Sequence, residues 1–131
     1  VAVLTGRRGR STLAGMHAAA GVDEIETARA TVRDVYVAES LARYVVALLD
    51  ATRQHPQVRL GASTRGGVAL VGLAKARAAM AGRHYVVTDD VVATASTALA
   101  HRVIDTGGSG SVQAGRRVVE ECLERVPPPA A

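Results

Sequence analysis

Leu41, Tyr44, Val45, Leu48 and Leu49 recur at spacings of three and four, which marks one apolar stripe along an amphipathic helix. That helix begins near Glu39 or Ser40 and should stop near His55, because Pro56 disfavours helical geometry in the residue before it. Upstream, the stretch from Val22 to Arg33 opens with acids and closes with a base, the order that suits a helix macrodipole; Val35-Tyr36-Val37 then reads as a short extended link. A loop is expected from Pro56 to Leu60. Beyond it, Ser63 is a candidate N-cap for a helix whose apolar face runs through Val68, Val71, Leu73, Ala74, Ala78 and Met80 until Gly82 ends it.

Two further helices follow. The segment from His84 to Val87 reads as extended, and Thr88-Asp89-Asp90 supplies a cap and two first-turn acids ahead of Val91, Val92, Ala95 and Leu99. Turn-forming residues fill Asp105 to Gly110. Ser111 restarts a helix through Val112, Val118, Val119 and Leu123, which Pro127 to Pro129 end. The pattern predicts an all-α fold, a small bundle of four to five helices. Residues 1–21 carry no clear periodicity and are expected to be a linker, with Val1 to Arg8 closing a preceding helix and Gly6 to Ser11 forming its exit.

Composition narrows this picture. The 131 residues, 48% of them hydrophobic, support one buried core and hence one domain. Phe and Trp are absent and there are three Tyr, so Val, Leu, Ile and Ala must fill that core, as suits closely packed helices. The net charge of +4 comes almost wholly from arginines spread along the chain. That is a weak nucleic-acid signal, because neither a basic block nor stacking aromatics accompany it. A lone cysteine, Cys122, permits no intramolecular disulfide and argues against structural zinc, which fits a reduced, cytoplasmic setting. No apolar run approaches the roughly 18 residues of a membrane span, so no membrane partner is expected. The start at Val1, without an initiator Met, suggests a piece of a longer protein.

Catalytic chemistry is not visible in the motifs. There is no G-x-x-x-x-G-K-[ST] phosphate loop, and the one lysine, Lys75, falls mid-helix. The run Gly6-Arg7-Arg8-Gly9-Arg10-Ser11 lacks the spacing and lysine of such a loop. His17 and His84 read as surface residues and His55 abuts a proline. His101 precedes Asp105 by four, a common stabilising helix pair; none of the four histidines has metal-ligand spacing to Cys or Glu, so neither a catalytic residue nor a metal site is assigned.

Arg65 stands apart. It follows Gly61-Ala62-Ser63-Thr64 in the first turn of a helix, where the dipole favours acids over a cation. A bound anion would resolve the mismatch, since free first-turn amides and a guanidinium fork can together hold a phosphate. A solvated surface arginine is the plain alternative. Gly66 and Gly67, each costing about 1 kcal/mol relative to Ala inside a helix, mean that this first turn is either held by tertiary contacts or mobile.

The stretch Ala51-Thr52-Arg53 to His55-Pro56, with Leu60-Gly61-Ala62-Ser63-Thr64-Arg65-Gly66, Val68-Ala69-Leu70 and Lys75-Ala76-Arg77-Ala78, resembles the C-terminal helical lid of the MoxR family of AAA+ ATPases. The likeness continues through Gly82-Arg83-His84-Tyr85-Val86, Asp89-Asp90-Val91, His101-Arg102-Val103 and Arg125-Val126-Pro127, and upstream through Val35-Tyr36-Val37 and Tyr44-Val45-Val46. The resemblance implies that residues 1–131 form one lid domain of a longer ATPase. It makes Arg65 the sensor-2 residue, with Ser63 and Thr64 as further nucleotide-side candidates.

ATP and Mg2+ would be bound mainly by a large AAA+ domain of the same chain, and neighbouring subunits of a hexameric ring would be partners. Chaperone-like remodelling is implied, often of proteins with von Willebrand A-type domains. The parent would be the enzyme; the lid by itself would not catalyse. Two departures bear on the site: Thr64 stands where the family usually has proline, and Gly66-Gly67 replaces better helix formers, both loosening the first turn. A third, Thr88 for proline, leaves a residue that caps well. Apart from the resemblance, a helical protein-interaction module and, behind it, a basic nucleic-acid binder remain as alternatives.

Overall fold

The computed structural model describes residues 15–108 and 110–129. The readings of Val1 to Arg8 and of Gly6 to Ser11 fall outside these residues. Among the described residues five helices follow one another: α1 (Val22–Asp34), α2 (Glu39–Arg53), α3 (Thr64–Met80), α4 (Thr88–Leu99) and α5 (Val112–Arg125). A 3-10 turn, Ala100–Arg102, continues α4. The all-α bundle expected from the periodicity is therefore the fold.

Helix ends follow local chemistry. The Gly21 amide donates to the Glu24 carboxylate at 2.7 Å, which starts α1. Gly82, at φ 71°, ends α3, and the Arg83 amide reaches back to the Ala78 carbonyl at 2.9 Å. At the start of α4 the N-cap is Val87, not Thr88, because the Asp90 carboxylate turns back to accept the Val87 amide at 3.0 Å. Thr88 thus supplies no cap.

The expected loop before α3 contains a short strand instead. β1 (Val58–Leu60) pairs antiparallel with β2 (Ile104–Asp105), which lies just after the 3-10 turn. Asp105 is accordingly a strand residue, and it does not share a helix with His101. A second, isolated parallel bridge joins Tyr36 to Tyr85: the Tyr36 amide donates to the His84 carbonyl at 2.9 Å and the Val86 amide to the Tyr36 carbonyl at 3.0 Å.

α2 buries the predicted stripe of Leu41, Tyr44, Val45, Leu48 and Leu49. α3 buries only part of the expected one, Ala74 and Ala78. Its inner face is Gly66, Gly67, Leu70, Ala74 and Ala78, while Val68 is 74% and Met80 86% exposed. Four apolar residue types along one helix, Val, Ala, Leu and Met, left the choice of face open, and the small residues took it because α3 packs most extensively on α4, whose inner face is Val91, Ala95, Ala98 and Leu99. α5 closes the core with Val118, Val119 and Cys122. Ile, expected in the core, is absent from it; Tyr44 and Cys122 are present.

α1 buries no residue and lies against α3. Lys75 fixes its end by donating Nζ to the Arg33 carbonyl at 2.7 Å. An apolar groove of about 480 Å3 runs between these helices, lined by Ile25, Ala28, Arg29, Val32, Arg33 and Ala76. Among the described residues no helix is long and apolar enough to cross a membrane.

Candidate functional site

The last turn of α2 and the loop ahead of α3 are joined through Ala62. Thr52, fully buried, donates its hydroxyl to the Leu49 carbonyl at 2.7 Å, which leaves the oxygen to accept the Ala62 amide at 3.0 Å. Arg53 then donates Nε to the Ala62 carbonyl at 3.0 Å, while its Nη1 is held by Asp50 at 2.8 Å. The loop must approach closely for this: a Cβ on Gly61 would lie 2.6 Å from the Arg53 Cα, so only glycine fits.

From Ala62 the chain enters α3. Ser63 is its N-cap in position, with extended backbone at φ −81° and ψ 168°, but its hydroxyl makes no capping bond. The first intrahelical bond is from the Gly67 amide to the Ser63 carbonyl at 3.2 Å, so the amides of Thr64, Arg65 and Gly66 have no partner among the described residues. Ser63, Thr64 and Arg65 are all exposed, and no acid occupies this first turn. The Arg65 side chain makes no ion pair or hydrogen bond with any described residue.

Gly66 and Gly67 have the opposite effect to the loosening expected of them. Both are buried. A Cβ on Gly67 would meet Leu49 Cδ1 at 2.8 Å, and one on Gly66 would meet Leu99 at 3.2 Å and the Arg102 stem at 3.3 Å. The glycines let the first turn of α3 sit directly on α2 and on the end of α4, and tertiary contact offsets their poor helix propensity. Arg102 is anchored through Nε to the Ala98 carbonyl at 3.1 Å, so a second arginine lies against the same turn. The arrangement is a packed platform that presents free amides and a solvent-facing guanidinium together.

That chemistry fits an anion carrying several oxygens, such as a nucleotide phosphate. It does not fit a cation, and among the described residues no group of three or more His, Cys, Asp or Glu could hold a metal ion. Mg2+ would require carboxylates from another source.

The other polar groups singled out in the sequence lie elsewhere. His17 and His84 are exposed, and His101 sits exposed in the 3-10 turn. His55 is buried, and its Nε2 lies 2.9 Å from Glu121 Oε2, a pair 66 residues apart that no short-range spacing could reveal. Asp90 is 1% exposed and takes Arg83 in a bidentate pair, both bonds at 2.7 Å, with Arg77 Nε at 3.2 Å. The Arg83 hydrogen bonds hold its carboxyl below the usual range. This cluster ties the end of α3 to the start of α4, away from Arg65. The first-turn position of Asp89-Asp90 was legible in sequence; which of the two turns inward was not.

An uncharacterized protein of Bacillus subtilis (strain 168), YeaC, is 41% identical over 73 residues, 56% of this chain. A crystal structure of a "putative ATPase" from Cytophaga hutchinsonii ATCC 33406 superposes with a TM-score of 0.66 at 28% identity over 76% of this chain. The chain spans 23% of the length of the first and 33% of the second. The AAA lid domain family matches residues 50–122, more than half of the chain and the whole of the segment from the end of α2 to α5. With its small helical bundle and that match, this chain belongs to the AAA lid domain family.

Proposed function

We propose that residues 1–131 are the C-terminal lid of a longer AAA+ ATPase of the MoxR type, with residues 1–21 as linker, and that Arg65 is its sensor-2 residue. The observation that carries this reading is the unpaired, exposed Arg65 in an acid-free first turn, seated on a platform within the lid-family segment. ATP bound by the large domain supplies the phosphoryl group and, with Mg2+, the reacting charge. Arg65 would reach that charge from the lid, stabilise it on transfer and sense whether the terminal phosphate is present. Thr64 and Ser63, beside it, would contribute amides or hydroxyls. Lid movement would then couple hydrolysis to a hexameric ring and to chaperone-like remodelling in the cytoplasm, with von Willebrand A-type proteins among the clients.

In the full-length protein, Arg65→Ala should lower ATP turnover by roughly tenfold or more, the scale of losing one preorganised charge-stabilising group. Its melting temperature should stay near wild type, because an exposed side chain without partners contributes little to stability. Wild-type turnover in that variant would end the sensor reading. The apolar groove between α1 and α3 favours a second reading, a protein-interaction module, which instead requires partner capture by the isolated chain that nucleotide does not alter.

A further inference from the structure

We infer that Thr52 and Arg53 are positioning residues for Arg65. The inference rests on the reading of Arg65 as the nucleotide-facing arginine and adds what aims it. Ala62 is held on both sides: its amide belongs to one peptide plane and its carbonyl to the next, and the two are bound by successive residues of α2 at 3.0 Å each. Fixing two successive planes fixes the backbone path through Ala62. Arg65 follows only three residues later, and the intervening Ser63 and Thr64 are exposed and make no side-chain bond of their own. The direction of the first turn is therefore set from α2.

Each holder is itself constrained. The Thr52 hydroxyl hydrogen is committed to Leu49, so a lone pair faces Ala62. The Arg53 fork is steadied by Asp50, and the Gly61 backbone is pressed against the Arg53 backbone where no side chain could fit. Gly67 against Leu49 makes a third point of attachment to the same helix.

The test is a set of double-mutant comparisons in the full-length ATPase, with steady-state ATP hydrolysis measured for Thr52→Val, Thr52→Ser and Arg53→Met, each alone and combined with Arg65→Ala. Thr52→Val and Arg53→Met should each lower kcat by roughly tenfold to a hundredfold, the scale of misplacing a catalytic group by about 1 Å. Thr52→Ser, which keeps the hydroxyl, should restore turnover. In the Arg65→Ala background neither substitution should lower kcat further, because the residue being aimed is gone. An equal fold-loss in both backgrounds, or wild-type kcat in Thr52→Val and Arg53→Met, would overturn the positioning role while leaving the Arg65 reading standing. Wild-type turnover in Arg65→Ala alone would remove both. Should Thr52→Val fail to fold, Arg53→Met carries the same comparison, since the Arg53 side chain is 42% exposed.

Discussion

Gly115 in α5 lies against the carbonyl of Ala100 so closely that a Cβ on Gly115 would overlap the Ala100 oxygen. The obstacle is backbone, which cannot rotate aside. Gly115→Ala gains about 1 kcal/mol of helix propensity but must force α5 off the 3-10 turn, and overpacking of that kind costs about 1–3 kcal/mol or more. Gly72 is the control: it is also inside a helix, but a Cβ there meets nothing within 4 Å. Urea melts should show Gly115→Ala destabilised by about 2 kcal/mol and Gly72→Ala stabilised by up to about 1 kcal/mol. A neutral Gly115→Ala would mean that the helices separate freely at that crossing.

Asp90 is a buried carboxylate, and it titrates below the ordinary aspartate value of 3.8, chiefly because Arg83 hydrogen-bonds the charged form. A depressed carboxyl contributes stability that is present above its unfolded value and is lost as pH falls through the folded one. The wild-type urea midpoint should therefore hold at neutral pH and drop below about pH 4, where the unfolded chain begins to take up a proton that the folded carboxylate still refuses. Asp90→Asn should lose about 1–3 kcal/mol at pH 7, because an amide keeps only part of the hydrogen bonding that the buried carboxylate gives Arg83 and the Val87 amide. Its acid limb should also flatten. An unchanged acid limb would assign the acid sensitivity to other carboxylates.

These contacts show how far the sequence carried. Helix positions were legible, because Leu41 through Leu49 and Thr88 through Leu99 keep a helical period and Pro56 and Gly82 mark stops. The face of α3 was legible only in part: Ala74 and Ala78 lie inward as expected, but Gly66 and Gly67 carry weak hydropathy and turn inward too, while Val68 and Met80 carry strong hydropathy and face outward. β1 and β2 escaped because two- and three-residue strands have no period to detect and their pairing spans a long separation. Arg65 was singled out by charge at a helix start, a local signal. The hold on Ala62 by Thr52 and Arg53 was not, since its meaning depends on which backbone atoms the chain brings back to α2 after leaving it.

The pairing of His55 with Glu121 ties the turn after α2 to α5. Glu121→Ala leaves His55 Nε2 buried without its partner, a loss of about 1–3 kcal/mol. Glu121→Gln, which keeps an acceptor, should recover much of that. Equal melting temperatures for Glu121→Ala and wild type would show that water replaces the carboxylate at the half-exposed end.

Cys122 is 1% exposed, and burial pushes its thiol above the usual cysteine range. The thiolate, the reactive form, is thus scarce as well as covered. A thiol reagent at neutral pH should label the folded chain slowly and the urea-unfolded chain fast. Rapid labelling without denaturant would reveal opening of α5 from the core.

The parallel bridge between Tyr36 and Tyr85 has an optical consequence. The chain has no Trp, and of its three Tyr one, Tyr44, is in the core while the other two are exposed and are direct partners across that bridge. The bridge sets their backbones about 5 Å apart, and exchange of excitation between the two phenols is the expected outcome of that proximity. Depolarisation of tyrosine emission would thus follow the seam between the α1–α2 link and the α3–α4 loop, and the lid carries, without any added dye, a gauge of whether that seam stays closed.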